Sequence, residues 1–156
     1  MVISHNQFSG LLPTKYFENL AAMINSQERK LKYMGTGYYQ DTVVVEIKGI
    51  IVEMVKIQTL FTTIDFSNNI FRGDIPNIIG KLKSLMGLNF SHNELTGTIP
   101  ASFGNLSNLK WLDLSSNRLV GDIPWQLANL TSLEKFNVSK NRLVSLSSQH
   151  ITQWKK

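Results

Sequence analysis

The apolar residues of the second half of the chain fall at fixed offsets from a series of asparagines. Asn69, Asn93, Asn117 and Asn141 stand 24 residues apart, and Gly73, Gly97 and Gly121 with Pro76, Pro100 and Pro124 keep the same step. Three segments, "FTTIDFSNNIFRGDIPNIIGKLKS", "LMGLNFSHNELTGTIPASFGNLSN" and "LKWLDLSSNRLVGDIPWQLANLTS", reduce to LxxLxLSxNxLxGxIPxxΦgxL, where Φ is apolar and g is small. A regular step of this length marks a repeat array, in which no unit buries its own faces and stability comes from stacked neighbours. In each unit Leu85, Leu88 and Phe90, or Leu109, Leu112 and Leu114, predict a short strand with those residues inward. The residues between them point outward, because side chains alternate across a strand.

The rest of the unit reads as a turn and a return path. An asparagine amide has donors and an acceptor for backbone groups where the chain turns inside the coil. Phe71, Leu95 or Leu119 then re-enters the core, the glycine permits a backbone conformation closed to other residues, and Ile-Pro sets an extended segment. Segments such as "ASFGNL" and "WQLANL" bring the chain back with two more buried positions. For the unit from Leu85 to Asn108 the predicted core is Leu85, Leu88, Phe90, Leu95, Ile99, Phe103 and Leu106.

The array is interrupted near its start. In "SHNQFSGLLP" the spacing of Asn6, Gly10 and Pro13 matches that of Asn69, Gly73 and Pro76, yet Asn6 and Asn69 are 63 residues apart, leaving 39 inserted residues. The organisation this predicts is a partial repeat over 1–22, an island insertion over 23–58, repeats over 59–144 and a degenerate tail over 145–156. Within the island, "TVVVEIKGIIVEMVKI" reads as β-strand material with a turn at Lys48-Gly49. Gly35 and Gly37 lack the third glycine and the lysine of a phosphate loop and read as a turn. The fourth unit keeps "LEKFNVSKNRL" but has Ser145 where glycine belongs and Ser148 where proline belongs.

Composition narrows the chemistry. At 156 residues and 42% hydrophobic the chain is long enough for one domain with a sizeable core. It has no cysteine, so disulfides, thiol catalysis and thiolate metal sites are excluded together. His5, His92 and His150 share no ligand spacing, and no cofactor or metal is expected. The apolar run "GIIVEMVKI" is broken by Glu53 and Lys56, and the start carries no basic segment with an apolar core, so neither a membrane span nor a secretory signal is visible. The formal charge of +5 comes from dispersed Lys and Arg, which reads as a solvated surface rather than a nucleic-acid site. No serine, histidine and aspartate constellation or phosphate loop appears, so an enzyme is not expected.

The GxIP signature in a 24-residue unit resembles the plant-specific type of leucine-rich repeat. The fold class this implies is α/β: a right-handed solenoid with a parallel β-sheet on its concave face, interrupted by the island. The order "NQFSGLLPTKYFENLAAM", then "YMGTGYYQDTVVVEIKGIIVEMVKIQTLFTTIDFSNN", then further repeats, is similar to the C-terminal ectodomain of plant receptor-like proteins of the Cf-type disease-resistance class. The resemblance covers about residues 2–144. It implies a non-enzymatic interaction module at the extracellular side of the plasma membrane, acting in defence or developmental signalling. The implied partners are a protein or peptide ligand and a receptor-kinase co-receptor. The signal peptide, most upstream repeats, cysteine cap and membrane span of the intact family are not in this sequence, which therefore reads as a fragment or a truncated gene product. A secreted leucine-rich-repeat inhibitor of wall-degrading hydrolases is the alternative function, disfavoured by the island and the missing cysteines.

Repeats of this kind present a recognition surface on the outward strand positions. Trp111 stands out there, with Gly87 on one flank and Lys135 on the other, and two readings are open: an interface anchor, or a tryptophan partly covered by the island. The expected partner-binding cluster is Trp111 with Lys110, His92, Glu134 and Lys135, and His92 would make contact sensitive to mild acid. Four glycosylation sequons occur, at Asn89, Asn105, Asn129 and Asn137, all generated by the repeat consensus itself. Asn105 and Asn129 are expected on the return side, away from the concave face.

Overall fold

The computed structural model describes residues 1–24, 43–47, 50–54 and 62–144. The chain opens with strand β1 (Ser9–Leu11) and the short helices α1 (Thr14–Glu18) and α2 (Ala21–Ile24). Strands β2 (Val43–Ile47) and β3 (Ile50–Met54) pair antiparallel with Ile47 opposite Ile50. The sequence reading of strand material holds there. The Lys48-Gly49 turn, Gly35, Gly37 and the substitutions at Ser145 and Ser148 lie outside the described residues.

From Thr63 onward each unit contributes two strands and a 3-10 helix. They are β4 (Thr63–Asp65), β5 (Ile70–Asp74) and Asn77–Lys81; β6 (Gly87–Asn89), β7 (Glu94–Thr96) and Ala101–Asn105; β8 (Trp111–Asp113), β9 (Val120–Asp122) and Trp125–Asn129. The fourth unit begins with β10 (Lys135–Asn137) and β11 (Arg142–Val144). The first strands form one parallel sheet in the order β10-β8-β6-β4, with Lys135, Trp111, Gly87 and Thr63 in register. A bridge from Val2 to Asp65 continues that sheet into the first rung.

The second strands were not foreseen from the sequence, which predicted only an extended segment before the proline. They pair as β1-β5-β7 and β11-β9, with Gly73 inside β5, Gly97 directly after β7 and Gly121 inside β9; these three glycines have φ of +78°, +70° and +77° in that order. A side chain is strained at such angles. Space is short as well, since a Cβ on Gly73 would lie 2.5 Å from Leu11 Cδ2 of the rung before.

The asparagines act as predicted, and the bonds show how. Asn117 Nδ2 donates to Phe90 O at 2.8 Å in the previous rung and to Leu114 O and Ser115 O in its own, while its Oδ1 accepts from Leu95 N at 3.0 Å. Asn93 and Asn141 repeat the pattern one rung earlier and later. Asn69 repeats it across the insertion: its Nδ2 donates to Ile3 O and its Oδ1 accepts from Phe8 N. The sequence separation of the donor contact is 66 residues there and 27 in the next rung, so the partial first repeat stacks directly on the second.

Inside the coil all seven predicted core residues of the Leu85 unit are 2% exposed or less. Phe17, Phe71 and Phe90 cluster around Phe66, with ring centroids 5.6–5.9 Å from it; the Phe71 ring is stacked on it and the other two are tilted. The third side of the coil is set by the small residue of the consensus. A Cβ on Gly104 would lie 2.6 Å from Gln126 O of the next 3-10 helix, and one on Gly80 would lie 2.6 Å from Ser102 Cβ.

Candidate functional site

The inner sheet carries a second polar column that the sequence analysis missed. Asp65, Asn89, Asp113 and Asn137 occupy equivalent positions, and the Oδ1 of each accepts the backbone N–H of the serine two residues on: Ser67, Ser91, Ser115 and Ser139. These bonds, 2.9–3.1 Å long, fix the chain as it leaves the strand. Asp113 is held twice, since its Oδ2 accepts from Asn137 Nδ2 at 3.1 Å. Asp65 also accepts from Ser67 Oγ at 2.7 Å. The signal was present as an Asp or Asn two places before every consensus serine. Its alternation avoids adjacent carboxylates one strand spacing apart, where like charges facing each other are unfavourable.

Beyond that column the chain turns through a left-handed corner. His5, Asn68, His92, Ser116 and Lys140 have φ between +51° and +57°, one immediately before each ladder asparagine. Left-handed geometry at a non-glycine residue is uncommon. Here it recurs in every described rung, which places the basic side chains His5, His92 and Lys140 along one edge of the inner sheet.

Between this corner and the strands lies a hollow of about 250 Å³. His5 and His92 line it with Ser91, Ser115 and the Asp113–Asn137 pair, while Trp111 and Lys135 complete the wall. Of the five residues expected to form the recognition cluster, the structure brings Trp111, His92 and Lys135 to this hollow. Lys110 and Glu134 are exposed and stand outside its lining. They are joined through the backbone, Glu134 N donating to Lys110 O at 2.7 Å.

The roomy, outward tryptophan of the sequence reading is corrected by its surroundings: Trp111 is only 5% exposed. Its indole lies over Gly87 of the neighbouring strand, where a Cβ would clash with the ring. The glycine does give the ring space, and the ring fills it. Along the β4 segment Thr63, Asp65 and Ser67 are buried as well, beside the Val2 bridge.

The four sequons separate into two settings. Asn105 and Asn129 are exposed and end their 3-10 helices on the return side. Asn89 and Asn137 belong to the polar column, are half-buried, and line the hollow.

A parallel inner sheet, an asparagine ladder and a small-residue return side together define a leucine-rich-repeat solenoid. Family models agree: one described as "Leucine rich repeat" matches residues 61–119 and one described as "Leucine Rich repeats (2 copies)" matches residues 107–150. Receptor-like protein 53 of Arabidopsis thaliana is 49% identical over 92 residues, which is 56% of this chain and 10% of that protein. Among solved structures, PEPR1–AtPEP1 superposes with a TM-score of 0.65 at 31% identity, over 99% of this chain and 16% of that one. The BIR3–SERK2 complex from Arabidopsis thaliana superposes at 0.59 and 26% identity, over 92% of this chain and 55% of that one. The chain is a leucine-rich-repeat protein, and over about half of its length it is similar to plant receptor-like proteins. The match spans about a tenth of the length of that curated relative. Among the described residues, no helix is long and apolar enough to cross a membrane.

Proposed function

We propose that this chain is a non-enzymatic recognition segment of a cell-surface receptor-like protein, acting in defence or developmental signalling on the extracellular side of the plasma membrane. Its inner sheet docks a receptor-kinase ectodomain or a peptide ligand. The observation that carries this reading is the hollow, which gathers Trp111, His92 and Lys135 on a face whose backbone is already satisfied by the asparagine and Asx columns. Such a face is rigid before contact, so little ordering entropy is lost on binding. The likeness to PEPR1 solved with AtPEP1, and to the BIR3–SERK2 complex, supports protein contact as the use of this surface.

In this reading the island, residues 23–58, is an insertion in the sequence between the first repeat and the second. Glycans are carried at Asn105 and Asn129, where they leave the hollow open. Mass spectrometry of protein from a plant secretory host should find glycan at those two sites and unmodified amide at Asn89 and Asn137.

The docking test measures binding of the chain to candidate receptor-kinase ectodomains by interferometry. Trp111→Ala should weaken it indirectly, because the ring packed over Gly87 shapes the wall of the hollow. Because Trp111 is buried, His92→Ala and Lys135→Ala are measured beside it; each should weaken binding without changing the circular dichroism of the chain. Unchanged affinity in both surface variants would move docking off the hollow.

A further inference from the structure

The charges around the hollow are unevenly committed. Asp113 is the one carboxylate lining it among the described residues, and both of its oxygens are held in the wall, by Ser115 N at 2.9 Å and Asn137 Nδ2 at 3.1 Å. The bases are not committed. The side chains of His5, His92 and Lys135 make no hydrogen bond or ion pair with a described residue, although charged groups elsewhere do pair, as Arg118 and Glu94 at 3.1 Å. The hollow therefore presents unpaired basic side chains to a visitor, while the oxygens of its own carboxylate are already taken up by hydrogen bonds.

We propose that this hollow selects an acidic stretch of an extended peptide segment, whose carboxylates meet the imidazoles of His5 and His92 at one end and the ammonium of Lys135 at the other. This inference rests on the docking reading above and names the chemistry of the partner. Spacing supports an extended segment rather than a single ion. His5 and His92 stand at equivalent corners two strands apart, and parallel strands lie about 4.8 Å from one another, which separates their backbones by about 10 Å. Lys135 is two strands further on. One carboxylate cannot reach all three bases; a peptide crossing the strands with acidic groups a few residues apart can. A hollow of about 250 Å³ is smaller than the roughly 300–1,000 Å³ of whole-ligand pockets, so it reads part of a longer partner.

The test uses the full chain and three blocked or open pentapeptides. Acetyl-Gly-Glu-Gly-Glu-Gly-amide is compared with its Gln twin, and with pentaglycine bearing a free C-terminal carboxylate, by NMR shifts of backbone amides. The Glu peptide should bind at least threefold more tightly than the Gln twin and perturb the amides of Asn89, His92 and Lys135. A response to pentaglycine as strong as to the Glu peptide would assign the anion to a chain end; a response to the Glu peptide alone assigns it to side chains. The double variant His92→Gln, Lys135→Gln should lose at least fivefold in affinity with unchanged circular dichroism. Equal binding of the Glu and Gln peptides, or an unaffected double variant, would overturn the proposal. Should that happen while a receptor-kinase ectodomain still binds through the hollow, docking stands and its acidic preference falls.

Discussion

At the scale of single residues the ladder asparagine is the most demanding position. Replacing Asn117 by Ala removes the donor to Phe90 O, Leu114 O and Ser115 O and leaves Leu95 N–H without its acceptor, all within a buried turn. Urea unfolding should show a loss of roughly 2–3 kcal/mol, since buried polar groups left unpaired carry their full desolvation penalty. Asn108 provides the comparison. Its Nδ2 also bridges rungs, to Lys83 O at 2.9 Å, but at an exposed edge where water can replace it, so Asn108→Ala should cost only about 0.5–1 kcal/mol. The ladder was legible because its residue type never varies over four rungs. The Asx column was less legible because Asp and Asn alternate in it, and only an acceptor oxygen is common to both. Trp111 was harder still. Its neighbour Gly87 was visible in the sequence, but whether an indole stands clear of a glycine or lies down on it is decided by packing between strands.

At the scale of elements, the return side shows why the consensus asks for a small residue four places after proline. Gly80 and Gly104 sit where one 3-10 helix meets the backbone of the next, and Ala128 holds the same place in the last helix described. Gly104→Ala should lower stability by roughly 1–3 kcal/mol, because the new methyl group meets the Gln126 backbone and the helices must part. Ala128 is exposed, so Ala128→Gly should stay within about 1 kcal/mol, the ordinary difference in backbone entropy. Thermal melts of the two variants separate a packing requirement from a simple preference for flexible glycine; equal losses would remove the close-approach explanation. The 3-10 helices and second strands were only partly legible. Apolar spacing located their buried residues, Ile79, Phe103 and Leu127, but a five-residue segment has too few positions to distinguish a helical turn from an extended return.

At the scale of the whole molecule the insertion is the feature that separates this chain from a plain array. A 39-residue excess between Asn6 and Asn69 would be expected to break the coil, yet the first rung stacks on the second with the same bonds that join later rungs. Ser9 pairs with Ile70 and Leu11 with Arg72 in one sheet, while Ile3 N donates to Asp65 O at 2.9 Å in the other. Ser84 N also donates to Met23 O at 2.9 Å, so the contact reaches the point where the chain departs. Among the described residues, bonds that join the two rungs are thus present on both sides of the insertion. Joining Met23 directly to Thr63, which removes the 39 residues in excess and restores the 24-residue step, should preserve the asparagine ladder, and the shorter connection should change stability by no more than about 1–3 kcal/mol, favourably, through reduced loop-closure entropy. Circular dichroism melts of the shortened chain, with amide exchange at Phe8 and Ile70 to report the β1–β5 pairing, provide the measurement. Retained protection at both amides with an equal or higher melting temperature is the expected result. Loss of cooperative unfolding would show instead that the island holds the first rung in place, and that residues 23–58 are a structural clamp rather than an insertion free to serve recognition.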